Sequence, residues 1–290
     1  MKKNINLAKH AGFCYGVKRA VETTKKIKVE NSDKPVYVLG ELIHNSDVIR
    51  ELDTLGIFTT DELPEDNCGI CVIRSHGLCQ QAINDIQTRG FEVVDLTCPD
   101  VKKVQQKAIE MVQDDYLLVI VGKAEHPEVM AICANAKMYG DNVYVISDVN
   151  EINDEISSTI KSAKKVGVVS QTTQRVSNLS EIVAKLTELS RELKVYNTIC
   201  ASTSLRQNEA KILAQNSDLM VVVGSKKSAN TTHLAEILVD TTKTIHIENE
   251  QELDNYKELI DNAVNIGVTA GASTPNNIID AVINKLEQYS

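Results

Sequence analysis

The sequence predicts an α/β protein of three pseudo-threefold-related units, with parallel-rich sheets around a central cavity. Apolar strand-like runs alternate with helix-like stretches along the chain, the pattern of parallel βα units. No Pro/Gly/Ser-rich linker or low-complexity segment interrupts that alternation. The same succession of elements also occurs three times, which divides the chain into units at 1–97, 98–195 and 196–290.

Each repeat is marked by a strand-like run that leads to a cysteine, with a helix pattern following at once. These are INLAKHAGFC before YGVKRAVETTKK, FEVVDLTC before PDVKKVQQKAIE, and VYNTIC before ASTSLRQNEAKI. An apolar strand and a polar loop come next, in VYVLGELIHN, LLVIVGKAEHPE and MVVVGSKKSAN. The interval to these loops is 30 residues from Cys14 to His44 and 28 both from Cys98 to His126 and from Cys200 to Ser228. A helix then precedes a strand that runs into acidic residues, in IFTTDELPED, VYVISDVNEI and TIHIENEQEL. Each repeat closes with a further strand and polar loop, in CVIRSHG, VGVVSQTT and IGVTAGAST. Ligands of parallel α/β sheets bind beyond the carboxyl ends of the strands, so a threefold arrangement lets these loops share one cavity.

Composition narrows the function. At 290 residues, with 42% hydrophobic and 24% charged side chains, the chain buries a substantial core. A net charge of −9 without a basic stripe disfavours nucleic acid as a partner, and the absence of Trp leaves few stacking platforms. The start MKKNINLAKH has no apolar signal core, and no apolar run reaches the roughly 18 residues a membrane span needs. A cytoplasmic protein, acting as a monomer and without an appended RNA-binding domain, is expected. Seven cysteines, an odd number without a secretory signal, argue against a disulfide framework.

Cys14, Cys98 and Cys200 share one slot of the repeat, each at a predicted helix start, where free N–H groups and the macrodipole favour a thiolate. Three thiolates leave a four-ligand metal set incomplete, so the centre they form has an open position for a substrate. Thiolates suit both zinc and iron–sulfur clusters, and the metal stays open at this point. Two alternatives stand beside this reading: a three-cysteine zinc hydrolase on the same ligands with a metal-bound water, and a non-catalytic diphosphate-binding module that uses only the His, Ser, Thr and Asn residues of the loops. Cys68-Gly-Ile-Cys71 reads as CxxC but lacks a second pair and a redox context, and Cys79 and Cys133 fall in helix patterns, so all four are read as packing residues.

His44, His76 and His126 occupy loops after strands, where imidazoles can donate to phosphate oxygens, whereas His10, His233 and His246 lack that placement. Thr172, Ser228, Asn230 and Ser273 add hydroxyl and amide groups in the corresponding loops, an anion cradle with no Walker spacing. Glu128, in His126-Pro-Glu, is the carboxylate best placed to hold and deliver a proton.

Through GFCYGV, ELIHN, RSHG, DLTCP, GKAEHPEV, SQTTQ, NTIC, VVGSKKSAN and VTAGAST the sequence resembles the 4-hydroxy-3-methylbut-2-enyl diphosphate reductase family. The resemblance covers nearly the whole chain. It implies a trefoil with a 4Fe-4S cluster on Cys14, Cys98 and Cys200, whose fourth iron takes the substrate hydroxyl. It also implies substrate contacts, mostly to the diphosphate, from His44, His76, His126, Thr172, Ser228, Asn230 and Ser273. Glu128 is then the proton donor, with Thr172 orienting the hydroxyl. The reaction implied is reductive dehydroxylation to isopentenyl and dimethylallyl diphosphate, with electrons from a ferredoxin or flavodoxin. One departure is Ala229, where many family members carry serine.

Overall fold

The computed structural model describes residues 3–65 and 69–289, so Cys68 lies outside the described residues. The first stretch runs β1 (Asn4–Leu7), α1 (Tyr15–Glu30), β2 (Val36–Leu39), α2 (Ser46–Thr54), β3 (Ile57–Thr60), β4 (Ile70–Ile73), α3 (Gln80–Thr88) and β5 (Glu92–Asp95). The second runs α4 (Pro99–Gln113), β6 (Leu117–Val121), α5 (Pro127–Lys137), β7 (Val143–Ile146), α6 (Asp154–Ser162), β8 (Val166–Ser170), α7 (Val176–Leu189) and β9 (Leu193–Val195). The third runs α8 (Ala201–Ala214), β10 (Leu219–Val223), α9 (Ala229–Glu236), β11 (Lys243–Ile247), α10 (Lys257–Asn262), β12 (Asn265–Ala270) and α11 (Asn276–Glu287). The apolar runs predict the strands with one exception: VYNTIC is irregular after Val195, and the strand there, β9, spans Leu193–Val195 and reaches only its first residue.

The strands form three four-stranded sheets, ordered β3-β2-β4-β5, β7-β6-β8-β9 and β11-β10-β12-β1, with parallel pairing throughout. The order is the same in each, but the fourth strand of the last sheet is the first strand of the chain. β1, which the sequence repeat assigns to 1–97, pairs residue for residue with β12, Asn4 with Asn265 through Leu7 with Val268. The repeat is therefore offset in the fold: each cysteine follows the last strand of a sheet rather than opening a new one.

The chain divides into two compact units. One comprises Met1–Val21, Ile43–Leu52 and Ala201–Ser290, and the other Glu22–Leu42 and Asp53–Cys200. The first contains the β11-β10-β12-β1 sheet and the second the other two. Helices cover both faces of the strands, which explains why the central runs are apolar without interruption. In β10, Leu219, Val221 and Val223 enter one core with Ile278 and Val282 of α11, while Met220 and Val222 enter another with Ala210 of α8 and Leu234 of α9. In β6, Leu118 and Ile120 pack with Val104 of α4 and Ile132 of α5, and Leu117, Val119 and Val121 pack on the opposite face with Ile182 of α7. Burying each such side chain contributes about 1.5–3 kcal/mol, so these strands fix where the loops at their carboxyl ends emerge.

Candidate active site

The three sheets build their carboxyl-end loops in the same way. The first loop of each begins at a glycine whose N–H donates to the end of the neighbouring strand: Gly40 to the Thr60 carbonyl at 2.7 Å, Gly122 to Ile146 at 3.0 Å and Gly224 to Ile247 at 2.8 Å. Gly224 has φ +137°, and a Cβ there would lie 2.3 Å from the Thr274 hydroxyl. A larger residue has no room at that turn.

The cysteines are pinned by a second shared bond. The Cys14 N–H donates to the Ala272 carbonyl at 3.2 Å, Cys98 to Ser75 at 3.0 Å and Cys200 to Thr172 at 3.0 Å. In every case the acceptor lies just beyond the third strand of the same sheet. The next residue starts a helix, with Cys98 as N-cap and Pro99 at N1 of α4. The first turn of α1 also faces sulfur, since the Val17 N–H donates to Cys14 Sγ at 3.5 Å. None of the three is in a disulfide, and all are half-buried. Cys71 contrasts with them: it is fully buried in β4, and desolvation pushes its thiol up to about 11, outweighing the nearby Arg89 charge. Cys71 is a core residue, and Cys133, partly buried, packs against the α4–α5 core. Cys79 is the N-cap of α3 and not a residue within that helix, as its sequence pattern indicates.

The second unit brings four predicted site residues together in two pairs. His76 and His126 stack edge to face with ring centroids 5.3 Å apart. Glu128 is 1% exposed and faces Thr172, whose N–H donates to Oε1 at 2.6 Å and whose hydroxyl donates to Oε2 at 2.7 Å. Burial raises the carboxyl from 4.5 to about 7, against the downward pull of the Thr172 backbone and side-chain hydrogen bonds. His126 caps α5 by accepting the Glu128 N–H on Nδ1 at 3.2 Å, which assigns the ring proton of neutral His126 to Nε2.

The first unit carries the remaining predicted residues. Ser228 caps α9 through the Thr231 N–H, and Asn230 follows in the first turn. Asn230 is buried, and its Nδ2 has no hydrogen-bond partner. A donor left unpaired at a helix start fits an incoming phosphate oxygen. Ser273 donates to the His44 carbonyl at 3.3 Å. His44 is one residue short of the cap position: Asn45 caps α2, accepting the Asp47 and Val48 N–H groups at 3.1 Å. The turn from Gly40 to its cap is one residue longer than those from Gly122 and Gly224, so the repeat interval aligns His44 with capping residues it does not replace.

The LytB protein family matches residues 5–287. The chain belongs to that family. Its LytB relatives include proteins named 4-hydroxy-3-methylbut-2-enyl diphosphate reductase. That of Pelobacter propionicus is 40% identical over 98% of both chains, and that of Geobacter sulfurreducens is 40% identical over 98% of this chain and 97% of its own. Among solved structures, this LytB chain matches one described as (E)-4-hydroxy-3-methyl-but-2-enyl diphosphate reductase, the terminal enzyme of the non-mevalonate pathway. The TM-score is 0.71 at 35% identity over 99% of both chains. It also matches the corresponding reductase of Plasmodium falciparum, with a TM-score of 0.87 at 25% identity over 98% of this chain and 88% of the other. Among the described residues of this LytB protein, no helix is long and apolar enough to cross a membrane.

Two groups escaped the sequence reading. Arg206 and Glu209 of α8 bond to the loop before Cys14. Their spacing reads locally as an ordinary helix-surface ion pair, and nothing in it points to residues 9–12.

Proposed function

We propose that this chain reduces 4-hydroxy-3-methylbut-2-enyl diphosphate to isopentenyl and dimethylallyl diphosphate by removing the hydroxyl group as water. The observation that carries the reading is the Glu128–Thr172 pair, a carboxyl raised to about 7 and joined to a hydroxyl that both accepts and donates. With protonated Glu128, the bond to Oε2 reverses: the carboxyl donates to Thr172 Oγ1, and the Thr172 hydroxyl is released to donate to the substrate. The backbone bond to Oε1 leaves Oε2 as the oxygen that carries the proton. The reaction consumes two electrons and two protons. One proton leaves with the hydroxyl as water, and the other goes to carbon.

Cys14, Cys98 and Cys200, one from each sequence repeat, fit a 4Fe-4S cluster, because each opens a helix after the last strand of a sheet while Cys71 is locked in a core. Bound there, the cluster supplies electrons and a Lewis-acidic iron for the substrate oxygen. His44, His76, His126, Thr172, Ser228, Asn230 and Ser273 surround the substrate, mostly at its diphosphate, with Thr172 at the hydroxyl and Asn230 offering an unpaired donor. Ala229, the first residue of α9, contributes its backbone rather than a hydroxyl. The electrons come from a ferredoxin- or flavodoxin-type protein.

The test is anaerobic purification followed by iron and sulfide assays and turnover of the diphosphate with a chemical reductant. Iron, sulfide and both isomeric products are expected. Colourless protein with stoichiometric zinc, or iron-loaded protein that leaves the substrate intact, rejects the assignment.

A further inference from the structure

The loops that lead to the three cysteines differ in length. Two residues separate β5 from Cys98 and four separate β9 from Cys200, but six, Ala8–Phe13, separate β1 from Cys14. A longer loop has more conformational freedom to lose, so Cys14 needs the most external support.

That support comes from α8. The Glu209 carboxylate accepts the Lys9 N–H at 2.7 Å and the His10 N–H at 2.8 Å, and its Oε2 also lies 2.8 Å from His10 Nδ1. Arg206, one turn earlier and 3% exposed, donates from Nη2 to the Gly12 carbonyl at 2.8 Å. Between them the two side chains hold both ends of the loop. Gly12 itself has φ +90°, and a Cβ there would lie 3.1 Å from Asn276 Oδ1 and from Ile279 Cδ1, so the loop has one close-fitting path past α11. Charge-assisted hydrogen bonds of this kind are stronger than neutral ones. Moreover, α8 begins at the residue after Cys200, so the helix that starts beside one proposed ligand carries the clamp for another.

We infer that Arg206 and Glu209 are positioning residues for Cys14, fastening its loop so that the thiol is held ready as a ligand. The inference rests on the proposed role of Cys14, and its test separates the two. In anaerobic protein without metal, the alkylation rates of Cys14, Cys98 and Cys200 by iodoacetamide are read residue by residue by mass spectrometry. Glu209→Ala and Arg206→Met should each speed alkylation of Cys14 about tenfold relative to the other two cysteines, the effect of losing one or two such bonds on local opening. Arg206→Lys, which keeps a donor and the charge, should stay near wild type. An unchanged Cys14 rate in both disruptive variants, or an equal rise at all three cysteines, overturns the clamp. Reconstitution of wild type with iron and sulfide tests the underlying reading: failure to protect Cys14 removes it as a ligand whatever the variants show.

Discussion

Glu128 and Thr172 form a two-point contact in which one carboxylate receives both the backbone N–H and the hydroxyl of a single residue, at 2.6 and 2.7 Å. The pair joins the start of α5 to the loop after β8. That loop also accepts the Cys200 N–H at the Thr172 carbonyl, so Thr172 is held at three atoms. Its position is set by backbone as much as by side chain.

The contact carries a pH signature. Burial raises the Glu128 carboxyl from 4.5 to about 7, so the folded protein binds this proton more tightly than the unfolded chain. The resulting stability is complete below the unfolded value and is lost as pH rises through about 7. Denaturant unfolding of wild type and Glu128→Gln should therefore show the wild-type advantage shrinking by about 3 kcal/mol from pH at or below 4.5 to pH above about 7. A difference that stays flat with pH would mean that the carboxyl titrates as in the unfolded chain.

Removing the relay hydroxyl should stop chemistry without emptying the site. Thr172→Val keeps the backbone bond to Oε1, and its kcat should fall by about a hundredfold or more with iron content unchanged. Thr172→Ser should recover most of the loss. Equal turnover in Val and Ser variants would take the hydroxyl out of the proton path.

Asn230 separates binding from folding. Its Nδ2 is buried without a partner in the free protein, so Asn230→Ala costs little stability, within about 1 kcal/mol, while the KM for the diphosphate should rise roughly tenfold. Paired Tm and steady-state measurements check both halves. A large drop in Tm with an unchanged KM would make Asn230 a structural residue.

The cysteines divide by environment. Cys200→Ser should lose iron, sulfide and activity. Cys71→Ser should keep all three and lose about 1–3 kcal/mol of stability, because it places a hydroxyl in a closed core. Metal analysis alongside urea midpoints distinguishes them, and loss of the cofactor in both variants would refute the choice of ligands.

Much of this was legible in the sequence because repeats preserve local order. The run from strand to cysteine to helix names Cys14, Cys98 and Cys200 before any coordinates are known, and the apolar runs locate the strands that aim the loops. Local order cannot specify which strand pairs with which. β1 reads as the opening of the first repeat, yet it completes the sheet of β10–β12, since an edge strand pairs where its register and covering helices allow. Counting residues also sets His44 beside His126 and Ser228, which cap their helices, whereas the cap of α2 is Asn45 because the turn is one residue longer.

The sequence alone therefore determined the fold class, the threefold repeat and the residue types proposed to meet a diphosphate and a metal. Tertiary structure decided the rest, because those properties depend on what lies across space. Burial raises the Glu128 carboxyl, its hydrogen-bond partner Thr172 lies 44 positions away in the chain, and the support of the Cys14 loop comes from Arg206 and Glu209, nearly 200 positions away. Desolvation and long-range hydrogen bonds leave no periodic trace in a sequence, and they appear only when the chain has closed on itself.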